Sequence, residues 1–450
     1  MTLTEGKVWK SILQFTLPLL AGNVLQQCYT IVDSIIVGRF LGKEALAATS
    51  ASYFIYYFII ALIIGVGSGV SVIISQYCGA KNYPLVQRAF SSFLLFTLII
   101  GAVISVSGVI FAEDIFKLTK TPADVIPEAM RYFQIYIGGS FLFIAFSSII
   151  SVLRGVGDSY HPMLFMIIST GLNIVFDLLF ILGFNWGVEG AAYATIAAQG
   201  IALTFALAFV GNKHPLLSLR RCDIVFDTHL FLKGLKIGIP TSVQHTATAL
   251  GLIMLLGIVN SFGTDTLTAY GAAGKIDTIL SQITVTLSGA LATFCAQNIG
   301  ANQMDRLRRG VRFAMLLNAG FCLVVMLGVY FFSKELISLF TADATVINIG
   351  EEYLFIVIGF MFFSGSTNLL NGMLRGAGNT VFAMITSLLC LWIIRIPLAY
   401  FLSEHFGTHG LWWAISLSFC IGFVATLIYV IKKDWKKNVI STGPLSYQHK

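Results

Sequence analysis

The chain has 450 residues, of which 57% are hydrophobic and only 11% charged, and its mean hydropathy is +0.85. Soluble domains carry roughly 25% charged residues, so this composition excludes a soluble globular fold and implies a polytopic membrane protein. The net charge of +7 is spread over loops between apolar stretches rather than gathered on one domain, and so does not imply a nucleic-acid partner.

A bilayer-crossing helix needs about 20 mostly apolar residues. Twelve stretches qualify in chain order: 11–38, 47–78, 86–112, 129–152, 162–184, 188–210, 235–260, 265–298, 311–333, 351–373, 380–402 and 409–431. The first exceeds the roughly 7–15 residues of a signal-peptide core and lacks a small-residue cleavage site, so it reads as a retained span. The longest stretches should tilt or bend.

Lys and Arg placement gives the direction. Of the 28 such residues, twenty fall on one side, among them Lys7, Lys10, Lys81, Arg88, Arg154, Arg220, Arg221, Arg306 and Lys432–Lys437. Six fall on the other: Arg39, Lys43, Lys117, Lys120, Arg131 and Lys334. Lys275 and Arg395 lie inside spans. The positive-inside rule then predicts cytoplasmic termini, and the lack of a targeting segment points to a prokaryotic plasma membrane. The seven cysteines form no CxxC pair and read as small core hydrophobes. No Walker-A loop and no His metal spacing is present, so neither ATP nor a cofactor is expected.

The chain repeats itself at an offset of about 221 residues. LRGVGD (153–158) returns as LRGAGN (374–379), and QYCGAKN (76–82) returns as QNIGANQ (297–303). Pro18 answers Pro240, and GVEGAAYAT (187–195) answers GTHGLWWAI (407–415). Six spans per half keep the halves in one orientation, as a parallel repeat. The expected fold is all-α, with twelve transmembrane helices in two six-helix lobes around a central cleft. The lobes are residues 1–210 and 235–431, joined by a cytoplasmic linker, 211–234, and followed by a basic tail, 432–450. Nothing resembles the selectivity-filter loop of a channel.

Orientation turns position into depth. Asp33 lies six residues before Arg39, near the outer end of the first stretch, Asp177 seven before the outer end of the fifth, and Thr195 seven into the sixth. At about 1.5 Å per residue, all three sit roughly 10 Å below the outer surface. Asn173 is one turn from Asp177, at i, i+4. Such an oxygen set suits a small hard cation such as Na+, or a proton shared by two acids that resist ionising together. Asn173 and Thr195 alone could simply satisfy local hydrogen bonds. Two intramembrane acids at equal depth point to function.

In the second lobe Lys275, Asp277 and Arg395 sit roughly 14–18 Å deep. Either Asp277 pairs with one of the cations as a structural ion pair, or the three serve a substrate or gating role. Pro18 removes a donor from the first helix and is expected to kink it, as a static bend or as a moving part near Asp33. The Tyr53, Phe54, Tyr56, Tyr57, Phe58 cluster fits helix or lipid packing, or the wall of the cleft.

VDSIIVGRFLG (32–42), the repeated LRG-x-G loops and the Q-x-x-GA segments resemble the multidrug and toxic compound extrusion (MATE) family over essentially the whole chain. The resemblance implies a cation-coupled exporter of amphipathic, often cationic organic compounds, with sodium or protons entering as the compound leaves. Such a protein would be a functional monomer among membrane lipid and not an enzyme. Pro18, Asp33, Asn173, Asp177 and Thr195 match the first-lobe pattern of DinF-like members. The acids that the NorM-like branch carries in its seventh and tenth helices fall here on Thr248 and Ser364. A flippase for lipid-linked sugars is the alternative that the same superfamily allows; twelve spans and only two intramembrane cations argue against it. A membrane transferase would need a DDxxD or a His–acid pair within a span, and the sequence offers neither.

Overall fold

The computed structural model describes residues 2–118, 126–212, 214, 216–217 and 225–432. Lys120, most of the expected linker between 213 and 224, the tail beyond Lys432, and the side chains of Lys43, Tyr53, Phe54 and Phe58 lie outside the described residues. Among the described residues the regular structure is all helical. The first half holds α1 (Val8–Phe40), α2 (Lys43–Gly79), α3 (Tyr83–Ile110), α4 (Ala112–Leu118), α5 (Ile126–Gly138), α6 (Ser140–Gly155), α7 (Tyr160–Leu178) and α8 (Gly187–Asn212). The second holds α9 (Thr228–Asn260), α10 (Thr264–Gly300), α11 (Met304–Ser338), α12 (Ala344–Tyr353), α13 (Met361–Gly376), α14 (Thr380–Leu388) and α15 (Ile396–Lys432).

Eight helical stretches among the described residues are long and apolar enough to cross a membrane, and ten if α5–α6 and α12–α13 each count as one bent span. Each of these pairs bends by 46°. The expected stretches 129–152 and 351–373 are therefore broken rather than straight, at equivalent places in the repeat. The last two expected stretches run together from Thr380 to Lys432 and are divided at Gly407, whose φ of 61° is not helical. Helix α1 completes the twelve. Asn23, Gln26, Gln27 and Asp33 lower its apolarity, which is why length and hydropathy alone pass it over. Both Pro18 and Pro240 lie inside continuous helices, α1 and α9.

The chain forms two compact units. One holds Leu17–Gly238, the other Leu3–Thr16 and Ile239–Lys450. Each unit packs by close approach of helices through small residues. In the first, α7 lies along α8, and a Cβ added at Gly238 would meet the backbone of Gly65 and Val66. In the second, α10 lies along α13, and a Cβ at Gly372 or Gly376 would fall on the backbone oxygen of Ser288 or Ala292.

The repeated motifs are helix ends. In LRGVGD the Asp158 N–H bonds to the Leu153 carbonyl at 2.9 Å and the Gly157 N–H to the Arg154 carbonyl at 3.0 Å. In LRGAGN the corresponding Asn379–Leu374 and Gly378–Arg375 bonds are both 2.8 Å. This is the Schellman pattern, which needs a left-handed residue just past the helix. Gly157 (φ 90°) and Gly378 (φ 79°) supply it. The Q-x-x-GA motifs end α2 and α10 with the same bonds, with Lys81 and Asn302 in the left-handed position, each at φ 57°.

The start of the chain is held by the second unit. The guanidinium of Arg306 donates to the carbonyls of Leu3, Glu5 and Gly6 at 2.6–3.2 Å and to Ser11 Oγ at 3.2 Å. Gln297 Oε1 accepts from the Leu3 N–H at 3.0 Å, and Asn298 Nδ2 donates to the Leu3 carbonyl at 3.3 Å.

Candidate functional site

In the first unit α1, α7 and α8 bring Asp33, Asn173, Asp177 and Thr195 together. Asp33 is half-buried; Asn173, Asp177 and Thr195 are buried, Asp177 completely. The i, i+4 spacing of Asn173 and Asp177 places both on one face of α7. The Asn173 amide nitrogen donates to Asp177 Oδ2 at 2.8 Å, and its oxygen accepts from Thr195 Oγ1 at 3.2 Å and from the Thr195 N–H at 3.3 Å. These partners set the amide orientation. Tyr29, one turn before Asp33 on α1, places its hydroxyl 3.4 Å from Thr195 Oγ1.

Asp177 Oδ1 receives no hydrogen bond from an amide or hydroxyl. The carboxyl of Asp33 lies close enough to interact directly with that of Asp177. Two carboxyl groups can hydrogen-bond only when one holds a proton; with both ionised, the contact is repulsive. The cluster therefore has an unfilled need for one positive charge, which a proton or an oxygen-coordinated cation meets. The oxygens of Asp33, Asp177, Asn173, Thr195 and Tyr29 are the donor type a small hard cation takes. Immediately beyond this point α7 passes into a π-helical segment, Leu179–Gly183. Such a segment shifts the helical register and recurs at functional sites.

Tyrosines close in around the acids. Tyr29 and Tyr132 both lie within electrostatic reach of Asp33 and Asp177. Tyr132 stacks on Tyr136 at 5.5 Å, and Tyr136 meets Tyr56 edge-on at 4.4 Å. Tyr56, from the aromatic cluster of the second stretch, is buried in the core between α2 and α5. The same unit holds an apolar cavity of about 340 Å³ lined by Ile59, Leu62, Phe93, Phe96, Ile100 and Phe111, among others.

Comparison with known proteins fits this architecture. The MatE family profile matches residues 18–179 and again 240–401, beginning each time at one of the two helix prolines. The chain belongs to the MatE family. Among its relatives are two probable multidrug resistance proteins of Bacillus subtilis. YoeA is 32% identical, with 97% of this chain and 96% of YoeA aligned. YpnP is 31% identical, over 96% of this chain and 97% of YpnP. Among solved structures, a multidrug resistance MATE family transporter in an outward-facing conformation matches with a TM-score of 0.88 at 22% identity, covering 97% of this chain and 98% of that one. The protein is a multi-span MATE transporter and not an enzyme.

The second half of this MATE transporter does not repeat the acid pair. Asp277 is half-buried and accepts from Ser281 Oγ at 3.1 Å. The Tyr353 hydroxyl lies beside it. Arg395 Nε donates to Ser418 Oγ at 2.7 Å, and its guanidinium lies 4.7 Å from the centre of the Phe419 ring. Lys275 is exposed, with its ammonium 5.4 Å from the Phe340 ring. Among the described residues Asp277 forms no ion pair, so the structural pair expected between it and one of the two cations is not made. The reason is that hydroxyl and aromatic partners already engage all three groups. Sequence reasoning missed Tyr29, Tyr132 and Tyr353. The only signal for Tyr29 was its i, i+4 spacing to Asp33.

Proposed function

We propose that this MATE transporter is a cation-coupled antiporter that exports amphipathic, often cationic organic compounds by alternating access. The close approach of the Asp33 and Asp177 carboxyls, with Asp177 Oδ1 buried and without a hydrogen-bond partner, is the observation that carries this reading. A shared proton joins α1 to α7. When the proton leaves, two negative charges face each other, a repulsion of about 4 kcal/mol at an effective dielectric of 20 and 4 Å. Sodium entering among Asp33, Asn173, Asp177 and Thr195 relieves the same repulsion. Either ion therefore biases the position of α1, with Pro18 as the flexible point of that helix. An ion can shift the states only through its different affinity for them, and the acid pair supplies that difference. We place the protein in a prokaryotic plasma membrane as a functional monomer with both termini cytoplasmic, as the Lys and Arg distribution favours. The first-lobe residues match the DinF-like pattern and support the same reading.

The test is transport in sealed liposomes loaded with a fluorescent organic cation. Sodium and proton gradients are imposed separately on wild type, Asp33→Asn and Asp177→Asn. Gradient-driven movement in wild type that both variants lose is the expected result, and it identifies the ion. Unchanged, equally ion-dependent transport in both variants would overturn the assignment. Absence of movement in wild type under either gradient would overturn antiport itself.

A further inference from the structure

Asp277 stands apart from the first site. A carboxylate in the middle of a membrane helix is costly and calls for a compensating partner. Here that partner is not a cation. Its hydrogen-bond donor is the neutral hydroxyl of Ser281, and the Tyr353 hydroxyl lies beside it. Arg395 is near enough to feel Asp277 electrostatically, yet it is turned to Ser418 and Phe419. Of the other titratable groups, Tyr270 lies on α10 itself and Lys275 reaches Phe340 instead. Glu351 of α12 pairs with Lys334 of α11 at 3.7 Å, and Glu352 with His409 of α15 at 3.2 Å. Helix α13 presents Arg375, which donates to Ser288 Oγ at 2.9 Å. Asp277 can thus gain or lose a proton without stranding an ion-pair partner.

The backbone singles out the same group. Three π-helical segments occur among the described residues. The first follows Asp177. The second, Leu354–Ile358, starts at the residue after Tyr353, and the third, Leu389–Arg395, ends on Arg395. All three adjoin an acid-bearing cluster; one begins just after Tyr353 and another ends on Arg395, the two groups nearest Asp277 from other helices. A register shift at Tyr353 or Arg395 would exchange a hydroxyl partner for a guanidinium. Tyr353 is itself braced by Trp412, edge-on at 4.9 Å, and Tyr270, at 5.7 Å.

We propose that Asp277 is a second proton-exchange site of the transport cycle, with the Tyr353 hydroxyl and Arg395 holding the carboxylate once its proton has passed to water. The donor and acceptor of that step are the Asp277 carboxyl and a water molecule, and no redox change or bond to carbon is involved. The site differs in residues and helices from the positions held here by Thr248 and Ser364. The proposal rests on the antiport reading and adds a second proton to it.

The experiment counts protons. Full-length protein in liposomes, with membrane potential clamped to zero, accumulates ethidium under a pH gradient until static head. Each exchanged proton multiplies the accumulation ratio by about tenfold per pH unit, so two protons give about 100-fold and one about 10-fold. Wild type should reach about 100-fold, and Asp277→Asn about 10-fold. Tyr353→Phe keeps the carboxyl and loses a donor to the carboxylate. It should retain the two-proton ratio while the pH midpoint of transport moves upward, a shift that a merely structural role would not produce. Ethidium binding in detergent checks that each variant is folded. Equal ratios in wild type and Asp277→Asn, or purely sodium-driven accumulation unaffected by Asp277→Asn, would overturn the proposal while leaving antiport standing. Absence of gradient-driven accumulation in wild type would overturn the antiport reading and this one with it.

Discussion

Asp33 of α1 and Asp177 of α7 set their carboxyls against each other, and Asn173, one turn from Asp177 on the same helix, donates to Asp177 Oδ2 while Oδ1 has no hydrogen-bond partner. An amide in place of either acid can still donate to the remaining carboxyl. Asp33→Asn and Asp177→Asn should therefore fold, with melting temperatures at or above wild type because the repulsive ionised state is gone. Transport should fall by about 100-fold in each, on the scale of losing a positioned proton-transfer group. The double variant should be no worse than the single ones, because the two acids act as one unit. Additive losses in thermal unfolding and transport assays would show that they act separately.

The αL positions of the repeated helix ends give opposed predictions. Gly157→Ala and Gly378→Ala put a Cβ where φ is 90° and 79°, and each should cost about 1 kcal/mol. Lys81→Gly and Asn302→Gly relieve the same conformation at φ 57°, and each should leave stability unchanged or raise it, Lys81→Gly more. Thermal unfolding in one detergent compares all four. Stabilisation by either alanine variant would contradict the Schellman assignment.

The twelve spans and the repeat were legible because apolar runs of bilayer length and a fixed offset need no knowledge of packing. The grouping was legible too: residue number along oriented helices sets Asp33, Asp177 and Thr195 at one level, and the structure brings the three together. What failed was rotation. Tyr29 and Tyr132 face the acids because of how α1 and α5 are turned about their axes, and composition does not encode that phase. The pairing expected for Asp277 failed for a related reason. Shared depth says that Arg395 and Asp277 are level, but not that Ser418 and Phe419 hold the guanidinium first. The breaks in α5–α6 and α12–α13 and the three π-helical segments leave no mark on hydropathy. Arg306 had read only as one more inside-positive charge.

That residue now carries a larger load. Arg306 is 8% exposed, and its guanidinium bonds three backbone carbonyls and one hydroxyl of the Leu3–Ser11 segment. Arg306→Ala leaves those acceptors without a charged donor and should cost about 2–3 kcal/mol. Arg306→Lys should recover less than half, because an ammonium cannot fan out to acceptors spread over that segment as a planar fork does. Thermal unfolding reads the loss, and cleavage by a protease added to solubilised protein reads release of the segment. Full rescue by lysine would mean that charge alone, not the geometry of the fork, secures the chain start.

His214 gives the protein a stability slope on the acid side. It lies beyond the end of α8 and is 8% exposed, its Nδ1 has no partner, and its ring is 5.9 Å from that of Phe209. Burial pushes its pKa below the usual histidine value; Asp158 opposes that shift and His161 adds to it. Below about pH 6.5 the unfolded chain then binds a proton that the folded chain resists. Stability should be full at pH 7.5 and decline as pH falls through that range. His214→Leu removes the titrating group while keeping an apolar side chain against Phe209, so its melting temperature should fall less between pH 7.5 and 5.5 than that of wild type. Parallel pH profiles for the two proteins would show that the slope originates elsewhere.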